Sequence, residues 1–174
     1  MPLARQPKLS IFNTVFPKRH SAQIVFYLNM KKVDIFTDGA CRGNPGPGGY
    51  GLIIRIHGEE EEVSGSAENT TNNIMELTAA VVALKQLKEP CEVVLTSDSQ
   101  YLVKGMTEWI KNWIKKGWVT AGKQPVKNKD IWAELDRLSK PHKITWKWVR
   151  GHQGHVENER CDRLANMAID KTTY

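Results

Sequence analysis

The chain has 174 residues, 40% of them hydrophobic, and a formal net charge of +6, which suits one domain of ordinary size with enough apolar content to bury a core without staples. Cys41, Cys91 and Cys161 are an odd number scattered along the chain; with no secretory signal or membrane-length apolar run in view, a reducing cytoplasm is the expected setting and a secreted disulfide scaffold is excluded. The charge is uneven: residues 1–30 carry Arg5, Lys8, Lys18 and Arg19 with no acid, and residues 104–129 hold seven lysines against Glu108 alone, a patch that invites a polyanion.

Residues 1–29 lack clean periodicity and contain Pro2, Pro7 and Pro17. They are expected to be a disordered or non-native extension ahead of a start at Met30. An organellar targeting segment is the competing reading, and the prolines and weak amphipathicity argue against it. From Met30 on, "KKVDIFTDGA" predicts a strand, "GYGLIIRIHG" a second and "EEEEVSGSAE" a third, joined to the second by a turn at Gly58. Gly46 to Gly51 match the G-x-G-x-x-G spacing of a phosphate loop, but no helix follows. Tyr50, Leu52, Ile54 and Ile56 instead alternate at the period of a strand, and a phosphate site needs the free N–H groups of a helix start. The glycines and prolines therefore read as a tight connection between strands that leaves Asp38 uncovered.

"NTTNNIMELTAAVVALKQLKEP" predicts a helix with polar capping residues, an apolar side of Ile74, Leu77, Val81 and Leu84, and Pro90 past its end. A strand "CEVVLTSDS" follows, then helical patterning in "SQYLVKGMTEWIKNWIKK" and "NKDIWAELDRLS", a strand "KITWKWV", and a closing helix from about residue 156 to 170. Hairpinned strands followed by alternation of strand and helix imply a mixed sheet with helices on its faces.

Asp38 and Asp98 stand in matching contexts, an apolar strand and one or two hydroxyl residues before the acid. If those strands are parallel neighbours, both carboxylates lie at their carboxyl ends, the edge where open α/β sheets bind ligands. Glu76, taken alone, is a carboxylate near a helix start that the dipole favours. Asp162 lies one position off the apolar row Cys161, Leu164, Ala165 and Ala168, and taken alone is a surface acid. Gathered at one edge, four acids repel and raise one another's pKa values unless cations hold them, and hard oxygen ligands select Mg²⁺ or Mn²⁺. His152, His155 and Cys161 fit no zinc spacing.

The motifs "FTDGACRGNPGPGGYG", "TTNNIMELTAA", "TSDSQYL" and "WVRGHQGHVENERCDRLA" together make the chain from about Met30 to Ala168 resemble type 1 ribonuclease H, closely the bacterial form. The resemblance implies a ribonuclease H-like α/β fold: a five-stranded mixed sheet of order 3-2-1-4-5, helices on both faces and a basic helical protrusion. The domain would span residues 30–170, with a tail over 171–174. It implies a metal site of Asp38, Glu76, Asp98 and Asp162 for two Mg²⁺ ions, with Mn²⁺ as the alternative, and a catalytic-loop histidine at His152.

The implied substrate is an RNA–DNA hybrid, whose RNA strand is hydrolysed to 3′-hydroxyl and 5′-phosphate ends by a monomeric enzyme. Telling RNA from DNA requires sensing the 2′-hydroxyl, and Asn44, Asn72, Asn73 and Gln100 match substrate-contacting positions of the family, with Thr71 in a DNA-phosphate pocket. Their plainer role is turn and cap chemistry. In the protrusion, Trp109 and Trp113 stand among Lys111, Lys115 and Lys116; the resemblance implies that this protrusion grips the DNA strand of a hybrid, the lysines meeting phosphates and at least some of the tryptophans packing the protrusion, whereas the plainer reading is an amphipathic helix with a solvated face. A hybrid-binding module without catalysis is the alternative function. Another nuclease or integrase of the same fold would share the acids but not the amide motifs.

Overall fold

Val33 and Ile35 alternate with exposed Lys32 and Asp34 in β1 (Lys31–Cys41) until Phe36, Thr37 and Asp38, all buried, mark the strand's entry between two helical layers. A computed structural model describes residues 30–172 of the chain; the extension expected over 1–29 lies outside the described residues. A turn through His57 and Gly58, both with positive φ, joins β2 (Gly46–Ile56) to β3 (Glu59–Thr70). These three strands are antiparallel, whereas β4 (Cys91–Ser97) and β5 (Lys143–Trp148) run parallel to β1, giving the order β3-β2-β1-β4-β5. This is the ribonuclease H-like order implied by the resemblance.

The glycine-rich stretch differs from expectation. Gly46 to Gly49 belong to β2 rather than to a connection, and the turn is confined to residues 42–45. Their lack of side chains serves packing. A Cβ on Gly51 would stand 2.2 Å from the Cys161 carbonyl oxygen, and one on Gly49 would stand 2.3 Å from that of Ala165. The final helix therefore lies on β2 closer than any side chain allows.

Helix α1 (Asn72–Gln86) starts at Thr71, whose hydroxyl accepts from the Ile74 N–H at 3.3 Å, as an N-cap does. Met75, rather than the expected Ile74, joins Leu77, Val81 and Leu84 in the core, and Ala79, Ala80 and Ala83 bury most of the remaining circumference. The next helical run has three parts: α2 (Gln100–Lys104), a π-helical turn (Gly105–Trp109) and α3 (Ile110–Lys115). The Trp132 ring occupies the space that a Gly105 side chain would need. Beyond Gly117 the chain doubles back, with the Val126 N–H donating to the Trp118 carbonyl at 3.0 Å, before α4 (Lys129–Ser139).

The closing helix α5 (Val156–Thr172) runs past the boundary expected at residue 170, so Lys171 and Thr172 are helical rather than tail. One sheet face presents Ile35, Leu52 and Ile54 to Leu77, Leu84, Leu102, Trp132 and Leu135; the other presents Phe36 and Ile53 to Cys161 and Leu164 of α5. The glutamates of β3 are tied from outside: Glu60 pairs with Arg55 and Arg160, and Glu62 with Arg160.

Gly51→Ala should destabilise the fold by about 1–3 kcal/mol, the usual range for overpacking a close contact. Urea denaturation checks this; an unchanged midpoint would show that α5 is not seated as described.

Candidate active site

Thr37 pairs with Ser97 in the parallel register of β1 and β4, so Asp38 and Asp98 follow at neighbouring positions. To one side of this point the sheet continues through β2 and β3, to the other through β4 and β5, the reversal at which open sheets form their ligand crevice. Asp38 is still within β1, opposite Gly51, whereas Asp98 lies just past β4, ahead of α2. A Cβ on Gly39 would stand 2.3 Å from the Glu76 backbone nitrogen. The missing side chain lets α1 press its second turn against β1 and brings Glu76 beside Asp38. Asp162 comes from α5, next to Cys161, whose thiol donates to the Phe36 carbonyl. Asp38, Glu76, Asp98 and Asp162 line one cavity of about 320 Å³ with His152, Asn72 and Asn166.

Asp38 is 7% exposed. Burial first, and then the charge of Asp98, push its pKa up to about 8, with Asp162 and Glu76 adding to the rise; the Gly39 N–H, donating to Oδ1 at 2.7 Å, opposes it. Burial also pushes Glu76 up to about 7, with Asp98 adding to the rise, against the Ser99 hydroxyl and the Asn72 amide, which donate to its two oxygens, the latter at 2.8 Å. Among the described residues no ion pair includes any of the four acids.

Among the described residues no three His, Cys, Asp or Glu side chains are drawn together as a cage for one ion. Mg²⁺ needs no such cage, because it keeps several waters and takes one or two carboxylates together with substrate phosphates. Four hard oxygen donors around a cavity that resists the ionisation of Asp38 and Glu76 fit that ion.

His152 lies on the loop between β5 and α5, with φ 54°. The loop is fixed where the Val149 N–H donates to the Ser97 carbonyl at 3.1 Å and where the Gly154 N–H donates to Glu159 at 3.0 Å. A Cβ on Gly151 would stand 2.4 Å from Asp98 Oδ2, so the loop passes directly over that carboxylate.

The residues expected to contact substrate fall into two groups. Asn44 accepts from the Asn72 N–H at 3.0 Å; Thr71 and exposed Asn73 flank that residue, and Gln100 opens α2. Trp109, Lys111, Trp113, Lys115 and Lys116 sit away from the cavity on the protrusion. The three lysines are exposed, while the two rings are half buried, 5.6 Å apart, in a cluster with Tyr101 and Trp132.

Two residues of the site escaped sequence reasoning. Ser99 both caps α2, accepting from the Leu102 N–H at 3.1 Å, and holds Glu76. Asn166 donates at 3.0 Å to Asp162 Oδ1. Its spacing of four from Asp162 on a predicted helix was the available signal; for Ser99 it was an N-cap serine directly after a candidate acid.

The family model for RNase H matches residues 30–170. The chain belongs to the type 1 ribonuclease H family. It is 58% identical over 144 residues to the ribonuclease H of Hydrogenovibrio crunogenus, covering 83% of this chain and 99% of that one. It is 60% identical over 144 residues to a ribonuclease H of Escherichia coli, covering 83% and 93%. Among solved structures it resembles LC9-RNase H1 (TM-score 0.74, 33% identity, 82% of this chain and 74% of that one) and LC11-RNase H1 in complex with an RNA/DNA hybrid (TM-score 0.65, 28%, 82% and 99%). As a ribonuclease H it is a nuclease acting on RNA–DNA hybrids. Among the described residues no helix is long and apolar enough to cross a membrane.

Ordinary carboxylates in the unfolded chain release their protons near pH 4, whereas folded Asp38 and Glu76 hold theirs to about 8 and about 7. Between those limits the folded state binds more protons, so raising the pH lowers its stability. In chelator, the melting temperature of the parent should therefore fall relative to Asp38→Asn between about pH 5 and about pH 8. Parallel melting curves for the two proteins across that range would contradict the crowding.

Proposed function

We propose that the chain is an endonuclease that hydrolyses the RNA strand of RNA–DNA hybrids to 3′-hydroxyl and 5′-phosphate ends, using two Mg²⁺ ions, or Mn²⁺, held by Asp38, Glu76, Asp98 and Asp162. The observation that carries this reading is the convergence of the four carboxylates on one cavity with no ion-pair partner among the described residues. When bound, the ions supply an activated water and stabilisation of the leaving oxygen.

The chain's own residues prepare that chemistry. Ser99 and Asn72 occupy both oxygens of Glu76 and fix its rotamer, while Asn166 takes Oδ1 of Asp162, which lines the cavity. His152, exposed on a loop anchored at both ends, passes a proton or helps the product depart, roles open to an imidazole side chain. Asn44, Asn72, Asn73 and Gln100 read the hybrid beside the acids, and Thr71 meets the phosphate of the DNA strand. Lys111, Lys115 and Lys116 supply further backbone contacts from a protrusion that Trp109 and Trp113 stiffen and extend toward the duplex. The LC11-RNase H1 complex with an RNA/DNA hybrid supports this substrate. Three free thiols among the described residues support a cytoplasmic setting. A hybrid-binding module without catalysis would lack one of the acids, and all four are present.

The test is cleavage of an end-labelled hybrid and of the matching DNA duplex in Mg²⁺. The parent should cut only the RNA strand of the hybrid. Asp38→Asn should still bind the hybrid but lose several kcal/mol of transition-state stabilisation, on the order of a thousandfold in rate. Near-parental turnover by the variant, or equal cutting of both duplexes, would sink the proposal.

A further inference from the structure

Beside the catalytic cavity lies a second open groove of about 290 Å³, lined by Gln100, Val103, Lys104, Thr107, Glu108 and Trp148. Trp148 ends β5 with 43% of its surface exposed, unusual for a ring of that size. Its Nε1–H donates to the Asp98 backbone carbonyl at 2.9 Å. The ring is thereby held against the strand end that carries a catalytic acid, with its single polar atom already engaged. What it offers the groove is an apolar surface. The opposite wall is one face of the α2 and π-helical run, where Gln100, Lys104, Thr107 and Glu108 recur at helical spacing.

Two of the four polar groups on that wall, Thr107 and Glu108, act toward the groove as acceptors. The Thr107 hydroxyl donates its proton to the Val103 carbonyl at 2.7 Å, so toward the groove it acts as an acceptor. Glu108 also accepts when ionised and forms no ion pair among the described residues. Two acceptors facing a polyanion make sense only if the group opposite them is a donor. On a nucleic-acid backbone the sugar hydroxyl of RNA is that donor, and deoxyribose has none. Lys104 supplies the one positive charge, enough for a single phosphate, and Trp148 with Val103 supplies an apolar surface for the ring of a ribose.

We propose that this groove is a further contact site for the RNA strand, taking the ribose and phosphate of a nucleotide near the one that is cut, with Thr107 and Glu108 accepting its 2′-hydroxyl, Lys104 meeting its phosphate and Trp148 packing on its sugar. The groove adjoins the active site through Trp148, which donates to the carbonyl of Asp98, a residue of the acid cavity, and it lies on the same helical run that leads into the basic protrusion. A hybrid seated over the acids and reaching the lysines of that protrusion passes over it. The inference rests on the hybrid-cleaving reading and adds to it a second place where RNA is told from DNA.

The experiment uses the full chain and a set of short hybrids with one preferred cut, each carrying a single 2′-deoxy substitution at a different position of the RNA strand. For the parent, one substitution away from the nucleotides at the cut should raise KM roughly fivefold to tenfold, as expected for loss of one hydrogen bond. Thr107→Val should raise KM for the all-ribose hybrid by a similar factor and abolish the response at that position alone. Lys104→Ala should make the salt dependence of hybrid binding shallower by about one phosphate contact. Trp148→Phe keeps a ring and loses the bond to Asp98, so it should retain the deoxy response, whereas Trp148→Ala should weaken it. Circular dichroism melting of each variant separates loss of fold from loss of contact. Superimposable deoxy profiles for parent and Thr107→Val, together with an unchanged salt slope for Lys104→Ala, would overturn the groove assignment while leaving hybrid cleavage intact. A parent that cuts no hybrid at all would instead remove the reading on which the inference rests.

Discussion

Asp38 is buried in a strand between two helical layers, its pKa is raised most by burial and next by the charge of Asp98, and no ion pair among the described residues relieves it. That repulsion is imposed by the packing around it. The glycine at position 39 lets α1 lie against β1, those at 49 and 51 let α5 lie against β2, and the parallel register of β1 and β4 sets Asp98 beside Asp38. Each of these approaches buries apolar surface and stabilises the fold. Together they force carboxylates from four elements into one cavity, so the stability of the core and the strain of the site have the same origin.

The surrounding groups hold the acids in place without neutralising them. Ser99, Asn72 and Asn166 are neutral donors, and the Gly39 N–H is a backbone donor. Donors of this kind orient a carboxylate and partly offset its desolvation. A lysine in the same place would form a salt bridge and compete with a cation for the oxygens. Lys111, Lys115 and Lys116 lie instead on the protrusion, exposed and outside the lining of the acid cavity.

Much of this arrangement was legible in the sequence. The repeated pattern of apolar strand, hydroxyl and aspartate puts Asp38 and Asp98 at one edge on the condition that their strands are parallel neighbours, which they are, and Asp162, a surface acid when taken alone, lies one position off an apolar row and is half-buried. The errors share a cause, which is that tertiary contacts leave local sequence ambiguous. Gly46 to Gly49 read as a connection because a missing side chain looks the same whether it serves a turn or a close helix. Glu76 could not be told from a capping acid, because Asp38, in the strand against which its helix packs, is 38 positions away in the chain. Ile74 and Met75 exchanged places because a helix rich in buried alanines has no sharp apolar edge. For Trp109 and Trp113 the local pattern supported both packing and substrate contact, and the aromatic cluster accounts for the first.

The central claim is that packing creates a carboxylate cluster whose proper partner is a divalent cation. It is tested most directly by following the Asp38 side-chain carboxyl carbon by NMR through a pH titration, with and without Mg²⁺. The account predicts a midpoint near the value of about 8 that burial and Asp98 impose, and a large downward displacement of that midpoint when Mg²⁺ is added, because a bound cation favours the ionised form. A midpoint in the ordinary aspartate range, near 4, with no response to Mg²⁺, would contradict it.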